Sequence, residues 1–177
     1  MSAEYVLKHS ARARAMRIAV HPDARVVVTV PRFFSTGAAE RFLAKHARWI
    51  ERALARTRGK NVIRLKRSGI AKLKRAATSD VSARCAHFAA VYGVQFKKIS
   101  IRAQKSRWGS CSKSGALSFN YKIAALPERT ADYIVVHEIC HLREMNHSKK
   151  FWALVAQAFP DHREIRKTLR NTVIIFQ

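Results

Sequence analysis

Asp132-Tyr133-Ile134-Val135-Val136-His137-Glu138-Ile139-Cys140-His141, with His147 six residues further on, is the stretch that decides how the chain is read. Apolar residues run into His137 without a break, and the next Gly or Pro is Pro160. The spacing therefore predicts a helix. Histidines four apart on a helix share one face, a turn apart, so both imidazoles can reach one metal ion. Glu138, beside the first histidine, can act on a water held there. This is the H-E-x-x-H pattern of zinc hydrolases.

A third ligand completes the open geometry of a catalytic zinc, which has three protein ligands and a water. His147 lies past the expected helix end near Asn146, where a turning chain can swing a side chain back. Glu144 and Glu164 compete for this role. His147 is preferred, because Glu144 still on the helix has poor reach. His162, behind Pro160-Asp161, is a further residue able to approach the site. His9, His21, His46 and His87 read as ordinary. Cys140 points off the metal face and reads as an apolar filler. Ser110 and Cys111 lie near Arg107 but show no triad spacing for a nucleophile.

The rest of the chain reads as α+β. Residues 4–31 suggest a small antiparallel sheet, with Val26 to Val30 β-branched and His21-Pro22-Asp23-Ala24 a turn. Ser35 or Thr36 can cap one helix running to about Arg56. Thr57 to Ser68 reads as a basic linker, and a second helix runs to Tyr92 with Gly93 as its cap. Val94–Ala103 and Ala116–Ile123 read as strands around a polar loop, Gln104 to Ser112. Pro127 suits the first turn of the metal helix. Ser148 caps a following helix, and Pro160-Asp161 opens a last short one. The apolar tail, Val173 to Phe176, reads as a strand. Residues 1–57 are expected as N-terminal strands plus helix, and 58–177 as the metal-binding catalytic region.

Composition bounds the partners. Hydrophobic content of 48% argues for a folded chain. No apolar run approaches the roughly 18 residues that would suggest a membrane span. The first five residues lack a basic-then-apolar leader, and three widely spaced cysteines argue against a disulfide framework or a structural zinc ribbon. A cytoplasmic setting is expected. The net charge is +24, and from Arg52 to Ala125 there are 18 Lys and Arg against one acid, Asp80. Such a stripe suits a screened, non-specific attraction to nucleic acid or nucleotides. A solvated basic surface is the plainer reading.

Three segments carry a family resemblance. They are Lys105-Ser106-Arg107-Trp108-Gly109-Ser110-Cys111-Ser112 with Leu117-Ser118-Phe119-Asn120, then Asp132 through Leu142, then Asn146-His147-Ser148-Lys149-Lys150-Phe151-Trp152 with Pro160-Asp161. In these the chain resembles the YgjP-like metallopeptidases, zincin-like proteins related to SprT-type proteases. The run from Arg58 to Thr78 departs from the family by being shorter and more basic. A metzincin is excluded, because Glu144 stands at that group's turn glycine and no Met follows Met145. The resemblance implies zinc on His137, His141 and His147, a catalytic Glu138, and a small sheet above the active-site helix. It implies a peptidase, with a UTP pyrophosphatase as the alternative. A nucleic-acid-associated protease or a non-enzymatic binding protein is a third possibility, and an intact Glu138 argues against the non-enzymatic form. A peptide substrate needs a strand edge to pair with, expected at Leu117–Tyr121. Arg107, Asn120 and Tyr121 are the candidates for substrate binding and oxyanion stabilisation.

Overall fold

The computed structural model describes residues 4–177, so the reading of the extreme N-terminus falls partly outside it. The chain forms two compact units, Met1–Val62 and Ile63–Gln177. Both are mixtures of helix and sheet, and the fold class is α+β. No helix among the described residues is long and apolar enough to cross a membrane.

In the first unit, β1 (Tyr5–Ser10), β2 (Arg17–Val20) and β3 (Val26–Pro31) form a sheet of order β1-β3-β2. β3 runs antiparallel to β2 but parallel to β1, pairing Leu7 with Val28. The sheet is thus mixed, not antiparallel as expected. Val26, Val28 and Val30 alternate inward from β3. Val28 and Val30 pack with Ala39, Leu7, Met16 and Leu43.

The single helix expected after Ser35 is two, α1 (Thr36–Lys45) and α2 (Ala47–Ala55). Ser35 caps the first by accepting from the Ala38 amide. The break falls at His46, whose φ of −106° and ψ of 12° leave the helical region. Its ring Nδ1–H donates to the Phe42 carbonyl at 2.9 Å, satisfying an acceptor that the end of α1 leaves open.

β4 (Asn61–Leu65) spans the boundary at residue 62 and replaces part of the expected linker. It pairs with β8 (Thr172–Phe176), the last strand of the chain. α3 (Ile70–Tyr92) follows and ends at Gly93, whose φ of 58° is the left-handed conformation that glycine adopts without strain. Next come β5 (Lys98–Arg102), β6 (Gly109–Cys111) and β7 (Ala116–Asn120), in the order β5-β7-β6. β7 is parallel to β5 and antiparallel to β6. Two corrections follow. The loop 104–112 contains a strand, and β7, expected as the open edge, is the central strand with both sides paired. The edges are β5 and β6.

A 3₁₀ turn, Tyr121–Ala125, leads to α4 (Glu128–Cys140). α4 buries residues on nearly every side, including Tyr133, Ile134, Val135, Val136 and Ile139, which marks it as the central helix of its unit. It packs in one core with Leu117 and Phe119 of β7, Val81 and Cys85 of α3, and Phe151 and Val155 of α5 (Lys149–Ala158). α6 (His162–Asn171) adds Ile165 to this core. Arg84 of α3 pairs with Asp132 and stands 3.7 Å from Glu128, tying α3 to the start of α4. The Tyr92 hydroxyl donates to the Leu154 carbonyl at 3.0 Å and holds α3 to α5.

Candidate active site

The helical register delivers His137 and His141 to one side of α4. The regular helix stops at Cys140, short of the expected Asn146, but His141 keeps helical angles, φ −66° and ψ −18°, so the one-turn spacing survives. The chain then turns, with the Glu144 amide donating back to the Cys140 carbonyl. It re-enters a helix at Ser148, whose hydroxyl accepts from the Phe151 amide. His147 sits immediately before this cap. One ring nitrogen from each of His137, His141 and His147 lies within 4.8 Å of the others. Nε2 of His147 stands 3.0 Å from Nε2 of His137.

The donor set fits a zinc ion. Nδ1 of His141 lies 3.0 Å from the Glu144 carbonyl and donates to it, leaving its Nε2 lone pair free for a metal. Nδ1 of His137 is buried without a partner, while Nε2 faces His147. Burial, with His141, His147 and Arg166 nearby, pushes His137 down to about 3, so its imidazole is neutral as a ligand must be. Burial lowers His147 in the same direction. Glu144 contributes its backbone carbonyl, and neither Glu144 nor Glu164 joins the three-residue group. His141 is buried and His147 exposed, so the group opens to solvent at His147.

Aromatic rings hold the imidazoles. Phe151 lies 4.4 to 4.9 Å from all three, centroid to centroid. Trp152 stacks on His147 at 5.4 Å and on His162 at 5.2 Å. His162 thus approaches the site through Trp152 and is not part of the three-histidine group. The supporting role of Phe151 and Trp152 was not evident from spacing. Their position in the first turn of the helix that follows His147 was the available signal.

Glu138 is 6% exposed. Burial pushes its carboxyl up to about 8, opposed by the Arg107 guanidinium. Gly109 of β6 makes this burial possible. A Cβ at Gly109 would lie 2.7 Å from both Cγ and Oε1 of Glu138, closer than such atoms approach. Glycine is required here for space and not for backbone conformation, a need that only the folded arrangement reveals.

A cavity of about 640 Å³ opens beside His137 and Glu138. Arg107 and Asn120 line it, and Tyr121 does not. The Asn120 amide is fully engaged in structure: Nδ2 donates to the carbonyls of Gln104 at 2.7 Å and Arg107 at 3.1 Å, and Oδ1 accepts from the Lys122 amide at 3.2 Å. The Tyr121 ring is buried, stacked 6.2 Å from Phe176 under the Lys74 ammonium. Of the three substrate-binding candidates, Arg107 alone has its charged head near Glu138. The three cysteines are free thiols. Burial and Glu138 push Cys111 up to about 11, which removes the thiolate a nucleophile needs. Cys140 is fully buried, as its place on the helix implied.

A buried helix bearing H-E-x-x-H, a third imidazole returned by the next turn, and a small mixed sheet closing over the glutamate make a site of the metallopeptidase class. The chain belongs to the YgjP-like family: its residues 14–69 and 59–172 match the YgjP-like metallopeptidase domain. No curated protein matches it. Among solved structures it is similar to the metallopeptidase zymogen abylysin of Pyrococcus abyssi, at 30% identity over 52% of this chain and 99% of that one, with a TM-score of 0.46. It is also similar to the zymogen jannalysin of Methanocaldococcus jannaschii, at 22% identity over 51% and 93%, with a TM-score of 0.46.

Proposed function

We propose that the protein is a zinc-dependent peptidase in which His137, His141 and His147 hold the metal and Glu138 is the general base. The observation that carries this reading is the convergence of three imidazoles within 4.8 Å beside a buried glutamate. Zinc bound there would supply Lewis acidity, polarising the scissile carbonyl and making water acidic enough to attack near neutral pH. The Glu138 carboxylate accepts the proton of the attacking water and passes it to the departing amine. The Glu138 carboxylate, which burial pushes toward its protonated form, would be favoured as the ionised base by a cation held on the neighbouring histidines. β6, an edge strand of its sheet, offers backbone groups to an extended peptide, and Gly109 lets that edge lie directly against Glu138. Arg107 lines the cavity and binds substrate. Asn120 acts on the shape of the site by holding the loop that carries Arg107.

The test is metal analysis and a parallel assay of casein and UTP hydrolysis with the zinc-loaded protein. The expected result is one zinc per chain, lost in His147→Ala, and cleavage of casein. Full zinc occupancy in His147→Ala would remove that residue from the ligand set. Hydrolysis of UTP without cleavage of casein would replace the peptidase reading.

A further inference from the structure

The cleft beside His137 and Glu138 has a charge pattern that the peptidase reading leaves unused. Five cations line it, from three separate elements: Lys105 and Arg107 on the loop before β6, Lys122 on the turn after β7, and Arg166 and Arg170 on α6. Glu138 is the one acid on the wall. The acids are gathered elsewhere: Asp80, Glu128 and Asp132 line a different concavity, between α3 and α4.

Four of these cations carry no ion pair: among the described residues, none of Lys105, Arg107, Lys122 and Arg166 pairs with a carboxylate. Two are steadied by rings that leave their charge intact. The Arg166 guanidinium lies 4.4 Å from the Trp152 centroid, and the Lys122 ammonium 5.5 Å from that of Phe176. A concave wall of predominantly one sign focuses its field into the cleft.

We propose that this cleft binds a substrate carboxylate close to the scissile bond, so that the enzyme prefers acidic peptides. The proposal rests on the peptidase reading above and adds the substrate class. An extended peptide with acidic side chains matches charges spread over three elements. The same guanidinium and ammonium groups also match a phosphate, so UTP and pyrophosphate enter the test as competitors.

Zinc-loaded protein is assayed for kcat/KM on acetylated, amidated peptides that differ only in Glu or Gln at positions flanking one bond. A third peptide, neutral in its side chains, carries a free C-terminus. Binding of the same peptides to metal-free Glu138→Gln is followed by tryptophan fluorescence, with UTP and pyrophosphate as competitors. The expected result is a preference for Glu of about tenfold, the weight of one charge-assisted hydrogen bond. It falls toward unity in Lys122→Gln and Arg166→Gln, and in high salt. A preference confined to the free C-terminus supports the carboxylate and assigns it to the chain end. Equal cleavage of Glu and Gln peptides overturns the proposal and leaves the peptidase reading standing. Failure to cleave any peptide, with UTP or pyrophosphate binding more tightly than the Glu peptide, overturns both.

Discussion

The molecule contains the same three-stranded arrangement twice, once with a site and once without. In β1-β3-β2 and in β5-β7-β6 alike, the third strand in sequence takes the centre, parallel to the first and antiparallel to the second. Both hairpins turn through a left-handed residue, Ala24 at φ 65° and Gly115 at φ 80°. The difference lies on the second strand. β2 reads Arg17-Ile18-Ala19-Val20 and carries no glycine. β6 reads Gly109-Ser110-Cys111, and the space above its first residue is filled by the Glu138 carboxylate. Topology is common to both sheets, so the site is made by small residues on one edge strand and by the helix beneath it.

Four substitutions would break or sharpen this contrast. The largest effect is expected at Glu138. Glu138→Gln should retain the fold and the metal and lower peptide hydrolysis by roughly 10²–10⁴-fold, the usual weight of a general base. Circular dichroism, zinc content and kcat measured together check it, and activity within about tenfold of the parent would remove Glu138 from the mechanism. Gly109→Ala should come next. The added methyl displaces a carboxylate 2.7 Å away, so a loss of about tenfold to a hundredfold in kcat is expected, with zinc retained. Unchanged kcat would mean that the approach of β6 to Glu138 does not matter to the chemistry. The smallest effects belong to the two hairpin turns and have opposite signs. Ala24→Gly relieves a left-handed alanine and should stabilise by about 1 kcal/mol. Gly115→Ala should destabilise by about 1 kcal/mol. Denaturant melts of both variants settle the pair. A shift of the same sign in both would show that the two turns are not equivalent.

Much of the second unit was legible because its signals are local. Gly93 ends α3, Ser148 starts α5 and Pro127 precedes α4, each through capping chemistry within a few residues. The i, i+4 spacing of His137 and His141 is likewise a local fact. What escaped reading depends on distant partners. β4 looks like a basic linker until β8 pairs with it from the far end of the unit. β6 is three residues long, and only its pairing with β7, from Gly109 opposite Phe119 to Cys111 opposite Leu117, makes it a strand. The parallel sense of β1 against β3 leaves no mark on either strand, because alternation is the same in both directions. The break at His46 has no Gly or Pro to announce it. It rests on an imidazole that finds the Phe42 carbonyl. The empty space at Gly109 is visible only from Glu138.

The clasp made by Asn120 has a consequence for the entropy of binding. One side-chain amide holds the carbonyls of Gln104 and Arg107 on one side and the Lys122 amide on the other, while the Asn120 backbone amide donates to the Trp108 carbonyl at 2.8 Å. Backbone on both flanks of the cationic wall is therefore ordered before any ligand arrives. Immobilising a long side chain on binding costs about 0.5–1.5 kcal/mol, and ordering a loop adds to that. With the loop already fixed by a residue 4% exposed, only the ends of the side chains remain to settle when a substrate enters.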